Sequence, residues 1–208
     1  MTSLDPFMGF VQVVLAGDVA TASRLLAASP DLARACLKEG ATRRAAKQYY
    51  LEEIGHYVYT GDSALHVAAA AYGHQIAREL LAAGADVRAR NRRGAEPLHY
   101  AVDGMPGSLT WNPRAQAATI AALVEAGADP NAVDKSGVTP LHRAVRTRCA
   151  AAVRALLDGG ADVRRENNNG STPMQLATGT TGRGGSGSVE AKAQQGEIVR
   201  LLEQHGAR

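Results

Sequence analysis

Apolar pairs recur along the chain, and each pair is followed within a few residues by a glycine and an alanine. These pairs and dipeptides are Leu80-Leu81 with Gly84-Ala85, Leu123-Val124 with Gly127-Ala128, Leu156-Leu157 with Gly160-Ala161 and Leu201-Leu202 with Gly206-Ala207. Upstream stands a second dipeptide, whose copies are 33, 43 and 33 residues apart: Leu65-His66, Leu98-His99, Leu141-His142 and Met174-Gln175. A period of this length predicts a stack of structural repeats.

The residues around these dipeptides predict that each repeat is a pair of helices. Thr139 suits the cap of a helix, because its side chain accepts an amide hydrogen, and Pro140 suits the first helical position, which needs no amide donor. A closing glycine such as Gly160 supplies the left-handed conformation that ends the second helix. One helix pair cannot bury its apolar side alone, so stability must come from stacking neighbouring pairs.

The dipeptides and their surroundings resemble the ankyrin repeat, which opens on Thr-Pro-Leu-His and closes on Leu-Leu-x-x-Gly-Ala-Asp with a period of about 33 residues. Residues 139–142 match the opening fully, residues 96–99 and 172–175 match it in part, and residues 63–66 lack the proline. The resemblance implies an all-α ankyrin-repeat solenoid of about five helix-turn-helix repeats with short β-hairpin tips. It also implies that the protein binds a protein partner through its concave face and hairpin tips.

Deviations from the period place three insertions in one ankyrin-repeat domain that spans residues 1–208. Leu25 to Leu80 is 55 residues, one period plus 22, which locates the first insertion before the second repeat. The predicted division is a degenerate first repeat at 7–35, an insertion at 36–58, repeat 2 at 59–90, repeat 3 at 91–133 with a loop insertion at 103–112, repeat 4 at 134–166, and a C-terminal capping repeat at 167–208 with a flexible, Gly/Ser/Thr-rich insertion at 178–188.

The first insertion is the most informative departure from the pattern. Four of the six tyrosines lie between Tyr49 and Tyr59, within or directly after it. Residues 41–55 are predicted to form a helix that ends at Gly55, followed by an extended exit. Two interpretations stay open, because a tyrosine joins an apolar ring to a polar hydroxyl. The tyrosines either pack the inserted helix onto the solenoid or line a binding site.

The histidines divide into a repeated set and an exception. His66, His99 and His142 hold the same repeat position, for which the resemblance implies bonds to neighbouring backbone that tie repeats together. His56 stands outside the pattern, one helical turn after Glu52 and Glu53. A metal-dependent or small-molecule enzyme site at the insertion, formed by these three residues and Tyr57, is therefore the alternative hypothesis. A charged helix face explains the same pattern, and no catalytic residue, metal or cofactor is predicted for the protein-binding function.

Basic residues predict the chemistry of the partner. Only four of the 23 basic residues are lysines, a bias typical of a GC-rich bacterial genome, and the arginines cluster at the predicted tips and first helices. An acidic protein segment would suit this side, whereas intervening acids and a net charge of only +3 disfavour nucleic acid. The residues predicted to contact the partner are Tyr59, Asp62, Arg90, Arg92, Arg93, Tyr100, Trp111, Lys135, Val138, Arg146 and Asn168.

The remaining features predict a cytoplasmic monomer. The first 23 residues carry no Lys or Arg and no long apolar stretch of the kind a secretion signal needs, and no run of 18 apolar residues could span a membrane. Cys36 and Cys149 fall in repeats separated by at least two others, which is too far for a disulfide. Free cysteines are typical of a reducing compartment.

Overall fold

The computed structural model describes residues 6–106, 111–179 and 189–207, and the helices in these ranges form five consecutive pairs. The pairs are α1 Pro6–Leu15 with α2 Val19–Ala28, α3 Ala64–Ala70 with α4 His74–Ala82, α5 Pro97–Ala101 with α6 Pro113–Glu125, α7 Pro140–Arg146 with α8 Ala150–Asp158, and α9 Pro173–Thr178 with α10 Val189–Gln204. The all-α solenoid predicted from the sequence is confirmed.

The helices form two layers with one continuous core. The first helices of successive pairs contact one another in chain order from α1 to α9, and the second helices do the same from α2 to α10. Leu65, Leu98 and Leu141 hold equivalent positions in α3, α5 and α7, and each is fully buried between neighbouring repeats. We call the surface formed by the first helices and the tips the inner face.

Histidines tie adjacent repeats together, as predicted. In each case the Nε2 atom donates to a backbone carbonyl of the following repeat: His66 to Ala95 at 3.1 Å, His99 to Val138 at 3.1 Å and His142 to Ser171 at 2.9 Å. The Nδ1 atom of each ring accepts from the backbone N–H at the start of its own helix. Each imidazole therefore satisfies one donor at a helix start and one acceptor in the next repeat.

The tips are hydrogen-bonded turns, and no strand is assigned to them in the described part of the chain. Each turn contains a backbone bond of 3.1 Å, which runs from Asn91 N to Ala95 O, from Asp134 N to Val138 O or from Asn167 N to Ser171 O. Successive tips are then joined by Arg92 N to Thr60 O, Lys135 N to Arg93 O and Asn168 N to Ser136 O. The tips therefore form a continuous edge of the inner face.

The helix predicted for residues 41–55 is wrong. The segment contains two 3-10 turns, Lys47–Tyr49 and Glu52–Ile54, and a short antiparallel hairpin of β1 Tyr50–Leu51 and β2 His56–Tyr57. The reason lies at its ends, where Ala41 N donates to Val58 O at 2.8 Å and brings the ends side by side. The chain between them must reverse direction, and Gly55, with a φ of 59°, completes the reversal. A single helix would separate the two ends.

The other two insertions are described only in part. The structure describes the predicted 103–112 loop up to Pro106 and again from Trp111. The predicted flexible insertion at 178–188 lies mostly outside the described residues, since only Thr178 and Gly179 of it fall within the described ranges. No helix within those ranges is long and apolar enough to cross a membrane.

Candidate partner-binding surface

Three predicted partner residues meet at the tip of the second and third repeats. The guanidinium carbons of Arg92 and Arg93 lie 5.5 and 5.1 Å from the centroid of the Tyr59 ring. Arg93 Nη1 also donates to the Tyr59 hydroxyl at 3.3 Å, and Arg92 Nη2 donates to the carbonyl of Ala41 at the base of the insertion. Stacking on an aromatic ring orders the two cations without neutralising their charge.

A shallow depression of about 290 Å³ lies beside these arginines. It is lined by Arg92, Arg93, Asp134, Lys135 and Ser136. Within the described ranges, none of its three basic side chains forms an ion pair with a carboxylate. The depression therefore carries uncompensated positive charge. We call Tyr59 and the five lining residues the tip ridge.

Asp134, the one carboxylate among the residues of the tip ridge, already has hydrogen-bond partners on both oxygens. Asp134 Oδ1 accepts from the backbone N–H groups of Ser136 and Val138, at 2.8 and 3.1 Å. Its Oδ2 lies 3.3 Å from Nη2 of Arg143. These bonds direct the carboxylate to other groups, and it forms no ion pair with Lys135 or the two stacked arginines in the described structure.

Three further predicted contacts are exposed. Arg146 is exposed in α7, and Asn168 is exposed on the next tip, where its Nδ2 donates to Lys135 O at 3.2 Å. Arg90 is also exposed, but it pairs with Glu96 at 3.0 Å. Glu96 occupies the N-cap position of α5, which threonine occupies in α7 of the fourth repeat. Arg90 therefore pairs with a buried helix-capping residue.

Three predicted contact residues are buried, and the expectation that they are exposed is wrong. Asp62 is 0% exposed, Tyr100 1% and Val138 8%. Asp62 accepts from the Tyr100 hydroxyl at 2.7 Å, from Asn91 Nδ2 at 2.8 Å and from Tyr59 N at 2.6 Å. The carboxylate thus fastens a tip to a first helix, which explains why it lies inside the protein.

Trp111, the last of the predicted contacts, is half-buried beside the third repeat. Its Nε1 donates to Gln116 Oε1 at 3.1 Å, and its ring packs against the core. Gln116 Nε2 in turn donates to the carbonyl of Ala101 at 3.1 Å. The tryptophan therefore supports the loop between α5 and α6, and the structure does not bring it to the tip ridge.

Several arginines have structural partners, and two of them, Arg88 and Arg164, belong to the predicted charge cluster. Side chains near three tips donate to the carbonyl of the glycine that ends a second helix: Arg34 to Gly84 at 3.2 Å, Arg88 to Gly127 at 3.0 Å and Arg164 to Gly206 at 3.2 Å. Carbonyl groups at a helix C-terminus lack intrahelical partners and carry partial negative charge. These arginines therefore join repeats on the side of the second helices.

His56 bridges the inserted hairpin to the third repeat. Its Nε2 lies 3.0 Å from Asp103 Oδ2, its Nδ1 lies 2.7 Å from the carbonyl oxygen of Tyr57, and its ring centroid is 4.3 Å from that of Tyr100. Asp103 Oδ2 also accepts from Arg143 Nη1 at 3.1 Å. The hairpin therefore covers Tyr100, which explains why this predicted contact is inaccessible.

Charge and burial act in opposite directions on this bridge. Burial lowers the pKa of His56, but the hydrogen bond and charge of Asp103 outweigh it, so the pKa lies above its ordinary value. Burial alone would raise the pKa of Asp103, yet Arg143 and His56 hold that pKa below its usual value. Both shifts favour the charged forms of the two partners.

The alternative site does not assemble around His56. Glu52, Glu53 and Tyr57 are exposed, and neither glutamate is bonded to the imidazole, whose two nitrogens already have other partners. Across the ranges that the structure describes, no group of three or more His, Cys, Asp and Glu side chains is placed to hold a metal ion. The acid that contacts His56 comes from the third repeat, 47 residues along the chain.

Asp103 and Arg143 are the functional candidates that sequence reasoning missed as a pair. In the sequence, Asp103 is one of several acids that lie between the basic positions, and Arg143 is one of several arginines in a predicted first helix. A histidine outside the repeat pattern signals a partner elsewhere, but the sequence does not identify that partner. The contact depends on how the insertion folds back, which no local pattern encodes.

Two family models match the chain. A model described as ankyrin repeats (3 copies) matches residues 19–110, and one described as ankyrin repeats (many copies) matches residues 123–177. The chain belongs to the ankyrin-repeat family. No curated protein matches it. Ankyrin repeats are generally protein-interaction modules, and stacked repeats create extended binding surfaces.

Proposed function

We propose that this ankyrin-repeat protein binds an acidic segment of a protein partner at the tip ridge. The observation that carries the proposal is the pair of guanidinium groups stacked on Tyr59 beside Lys135, with no carboxylate paired to any of the three cations in the described ranges. A guanidinium presents a planar fork of N–H donors that matches a carboxylate. Glutamate or aspartate side chains of an extended segment would complete these bonds.

Preorganisation supports this choice of surface. The backbone N–H groups of Arg92 and Lys135 are fixed by the bonds between successive tips, and the Tyr59 ring holds the two guanidinium groups. Fewer side-chain conformations are lost when an ordered cation binds, so more of the interaction energy appears as affinity. Exposed Arg146 and Asn168 would extend the contact along the inner face.

The same proposal includes the compartment and the oligomeric state. We propose a monomer in the cytoplasm, and the compartment is supported by two free cysteines, of which Cys36 is exposed and Cys149 is buried. A bacterial source is supported only by the preference for arginine. Neither point affects the docking surface, which depends on the tip ridge alone.

Charge reversal tests the surface directly. A short peptide of alternating glutamate and glycine, labelled for fluorescence anisotropy, is expected to bind the wild-type protein, and its glutamine counterpart is not. The double variant Arg92→Glu/Arg93→Glu is expected to weaken binding at least about tenfold, because like charges brought together across an interface are strongly unfavourable. Raising the salt concentration should also weaken binding, since exposed charges are screened.

The matched control is Arg24→Glu/Arg114→Glu, which changes net charge equally on exposed residues of α2 and α6. Equal loss of binding in both double variants would show a nonspecific charge effect and would overturn the assignment. Absence of peptide binding to the wild type would also overturn it. Tighter binding of a single-stranded oligonucleotide than of the peptide would instead favour a nucleic-acid partner.

A further inference from the structure

The hydrogen-bond partners of His56 determine its protonation state. A neutral imidazole has one N–H donor and one acceptor nitrogen, whereas an imidazolium has two donors. Both ring nitrogens of His56 face oxygen atoms that accept hydrogen bonds: the backbone carbonyl of Tyr57 at 2.7 Å and the Asp103 carboxylate at 3.0 Å. Only the doubly protonated ring satisfies both contacts.

The groups around the imidazole agree with a positive charge. Arg143, on α7, pairs with Asp103 at 3.1 Å and keeps that carboxyl group ionised, so the proton of the bridge resides on His56. Tyr100, on α5, contacts the ring face, and its hydroxyl is directed to Asp62. His66, on α3, lies beyond Tyr100 with its rings 5.1 Å apart and is fully buried. On the hairpin itself, Glu52, Glu53 and Tyr57 are exposed.

The end of the hairpin depends on this bridge more than its base does. The base is fixed by backbone bonds between Ala41 and Val58 and between Val58 and Tyr49, and both Leu37 and Val58 are buried. In the described structure, residues 50–57 make one side-chain hydrogen bond to the repeats, from His56 to Asp103. Leu51 and Ile54 add contacts with the core, but both remain partly exposed.

We propose that the bond between His56 and Asp103 is a proton-operated clasp that holds the hairpin of residues 50–57 over the inner face of the third repeat. Loss of the proton from His56 releases the hairpin and uncovers Tyr100 and Arg143. The surface available to a partner therefore grows as the pH rises. This inference is independent of the acidic partner, because it concerns the hairpin alone.

The direction of the pH dependence follows from the raised pKa of His56. Its folded-state pKa lies above the ordinary value of 6.5, so the folded protein holds this proton more tightly than the unfolded chain. The stabilising contribution is fully present below pH 6.5 and is lost as the pH rises through the raised pKa. The clasp is thus closed in mild acid and open in mild alkali.

Hydrogen exchange measures the clasp without a ligand. Backbone protection factors of residues 49–58, corrected for intrinsic exchange, are compared at about pH 5.5 and about pH 8.5, on either side of the range in which histidine titrates. In the wild type, protection is expected to fall about tenfold to hundredfold at the higher pH, the size of a hydrogen bond to a charged group. Ala77, buried in α4, serves as the internal reference.

The variant His56→Gln removes the titrating ring. Its hairpin is expected to show low protection at both pH values and no dependence on pH. An unchanged protection factor in the wild type, or the same pH dependence in His56→Gln, would overturn the clasp. Should His56→Gln lose its fold by circular dichroism, Asp103→Asn is expected to show the same loose hairpin, and a fully protected hairpin in that variant would also contradict the proposal.

Ring nitrogen NMR of the wild type gives a direct second measurement. Two protonated nitrogens are expected for His56 at about pH 6, because both face acceptor oxygens. A spectrum with one unprotonated nitrogen at that pH would contradict the charge assignment. It would do so whatever the result of the binding assay with the acidic peptide.

Discussion

The ring of Tyr100 contacts two histidines that hold opposite electrical states. His66 belongs to the regular repeat, and its Nδ1 accepts from Ser63 N at 3.1 Å while its Nε2 donates to Ala95 O at 3.1 Å. His56 belongs to the insertion, and both its nitrogens face acceptors. The first ring is therefore neutral and the second is charged, although they share a neighbour.

The difference shows that a repeat position determines the protonation state of its histidine, whereas the insertion adds a histidine whose charge depends on a partner in another repeat. Burial lowers the pKa of His66, because desolvation of the charged ring outweighs the opposing effects of Asp62, 3.8 Å away, and of the bond to the Ala95 carbonyl. His56 lies against Asp103, so its charge is stabilised despite burial. The repeated histidines hold the solenoid at every pH near neutrality, whereas the inserted one responds to pH.

The largest test removes a repeat histidine. His99→Ala is expected to lower the free energy of unfolding by about 3 to 5 kcal/mol, because Glu96 N and Val138 O lose their partners in the core and a cavity remains. Urea denaturation followed by circular dichroism measures the change. His56→Ala, in the insertion, is expected to cost less, about 1.5 to 3 kcal/mol, the size of one hydrogen bond to a charged group, since Asp103 keeps its pairing with Arg143.

Glutamine separates the two bonds of the repeat histidine. In the last repeat Gln175 Oε1 accepts from Thr172 N at 2.9 Å, so a glutamine can satisfy the helix start without bonding a following repeat. His99→Gln is therefore expected to recover part of the loss seen in His99→Ala. Equal stability of the two variants would show that the bond at the helix start contributes nothing measurable.

The regular part of this comparison could be predicted from the sequence, and the inserted part could not. The histidine position follows from a motif that recurs at a fixed place, so its bonds at the helix start and to the next repeat recur as well. The insertion has no second copy against which to compare it. Its helical pattern was outweighed by the bond from Ala41 to Val58, a contact between residues 17 positions apart.

The partner-binding residues show the same division. Positions on the tips, such as Arg92 and Lys135, were predicted by alignment to the repeat opening, and the structure brings them together. Tyr100 is buried under the hairpin, and Asp62 and Val138, two positions of the repeat opening, are buried as well. Exposure at a repeat position therefore depends on the local hydrogen bonds and packing of that position and, for Tyr100, on the fold of an insertion.

Acid titration tests whether a buried repeat histidine destabilises the protein as the pH falls, the opposite of the direction expected for His56. Burial is the main cause that lowers the pKa of His99 to about 4, with the charge of Arg143 adding to it. Between about pH 6.5 and about pH 4, His99 is therefore protonated in the unfolded chain and neutral in the folded protein. Stability due to this group is present above pH 6.5 and is lost as the pH falls, by about 3 kcal/mol in total.

The variant His99→Gln isolates the contribution of the His99 ring to the pH dependence of stability. Urea midpoints across that pH range are expected to fall less steeply in His99→Gln than in the wild type, because glutamine does not titrate. His66 and His142 act in the same direction, since burial lowers the pKa of each, and they remain in both proteins. Parallel pH profiles of the two proteins would contradict a neutral, buried His99.

A smaller effect is expected from the glycine that anchors the insertion. A Cβ atom at Gly40 would lie 2.4 Å from Thr60 N and 2.5 Å from Tyr59 Cα, both backbone atoms that cannot move aside cheaply. Gly40→Ala is therefore expected to lower the free energy of unfolding by about 1 to 3 kcal/mol, the usual cost of overpacking. The damage should be confined to the insertion, so hydrogen exchange should quicken in residues 41–58 and stay unchanged in α7 and α8.

The matched control for this variant is Gly196→Ala. A Cβ atom at Gly196, within α10, would meet no described atom beyond its own helix backbone within 4 Å, so alanine should stabilise that helix by up to about 1 kcal/mol. Changes of opposite sign in the free energy of unfolding of the two variants would separate the effect of backbone crowding at Gly40 from that of helix propensity at Gly196. Faster exchange throughout the repeats of Gly40→Ala would show that the insertion supports the whole solenoid. The insertion that carries the charged His56 and the repeats that carry the neutral histidines would then unfold as one cooperative unit.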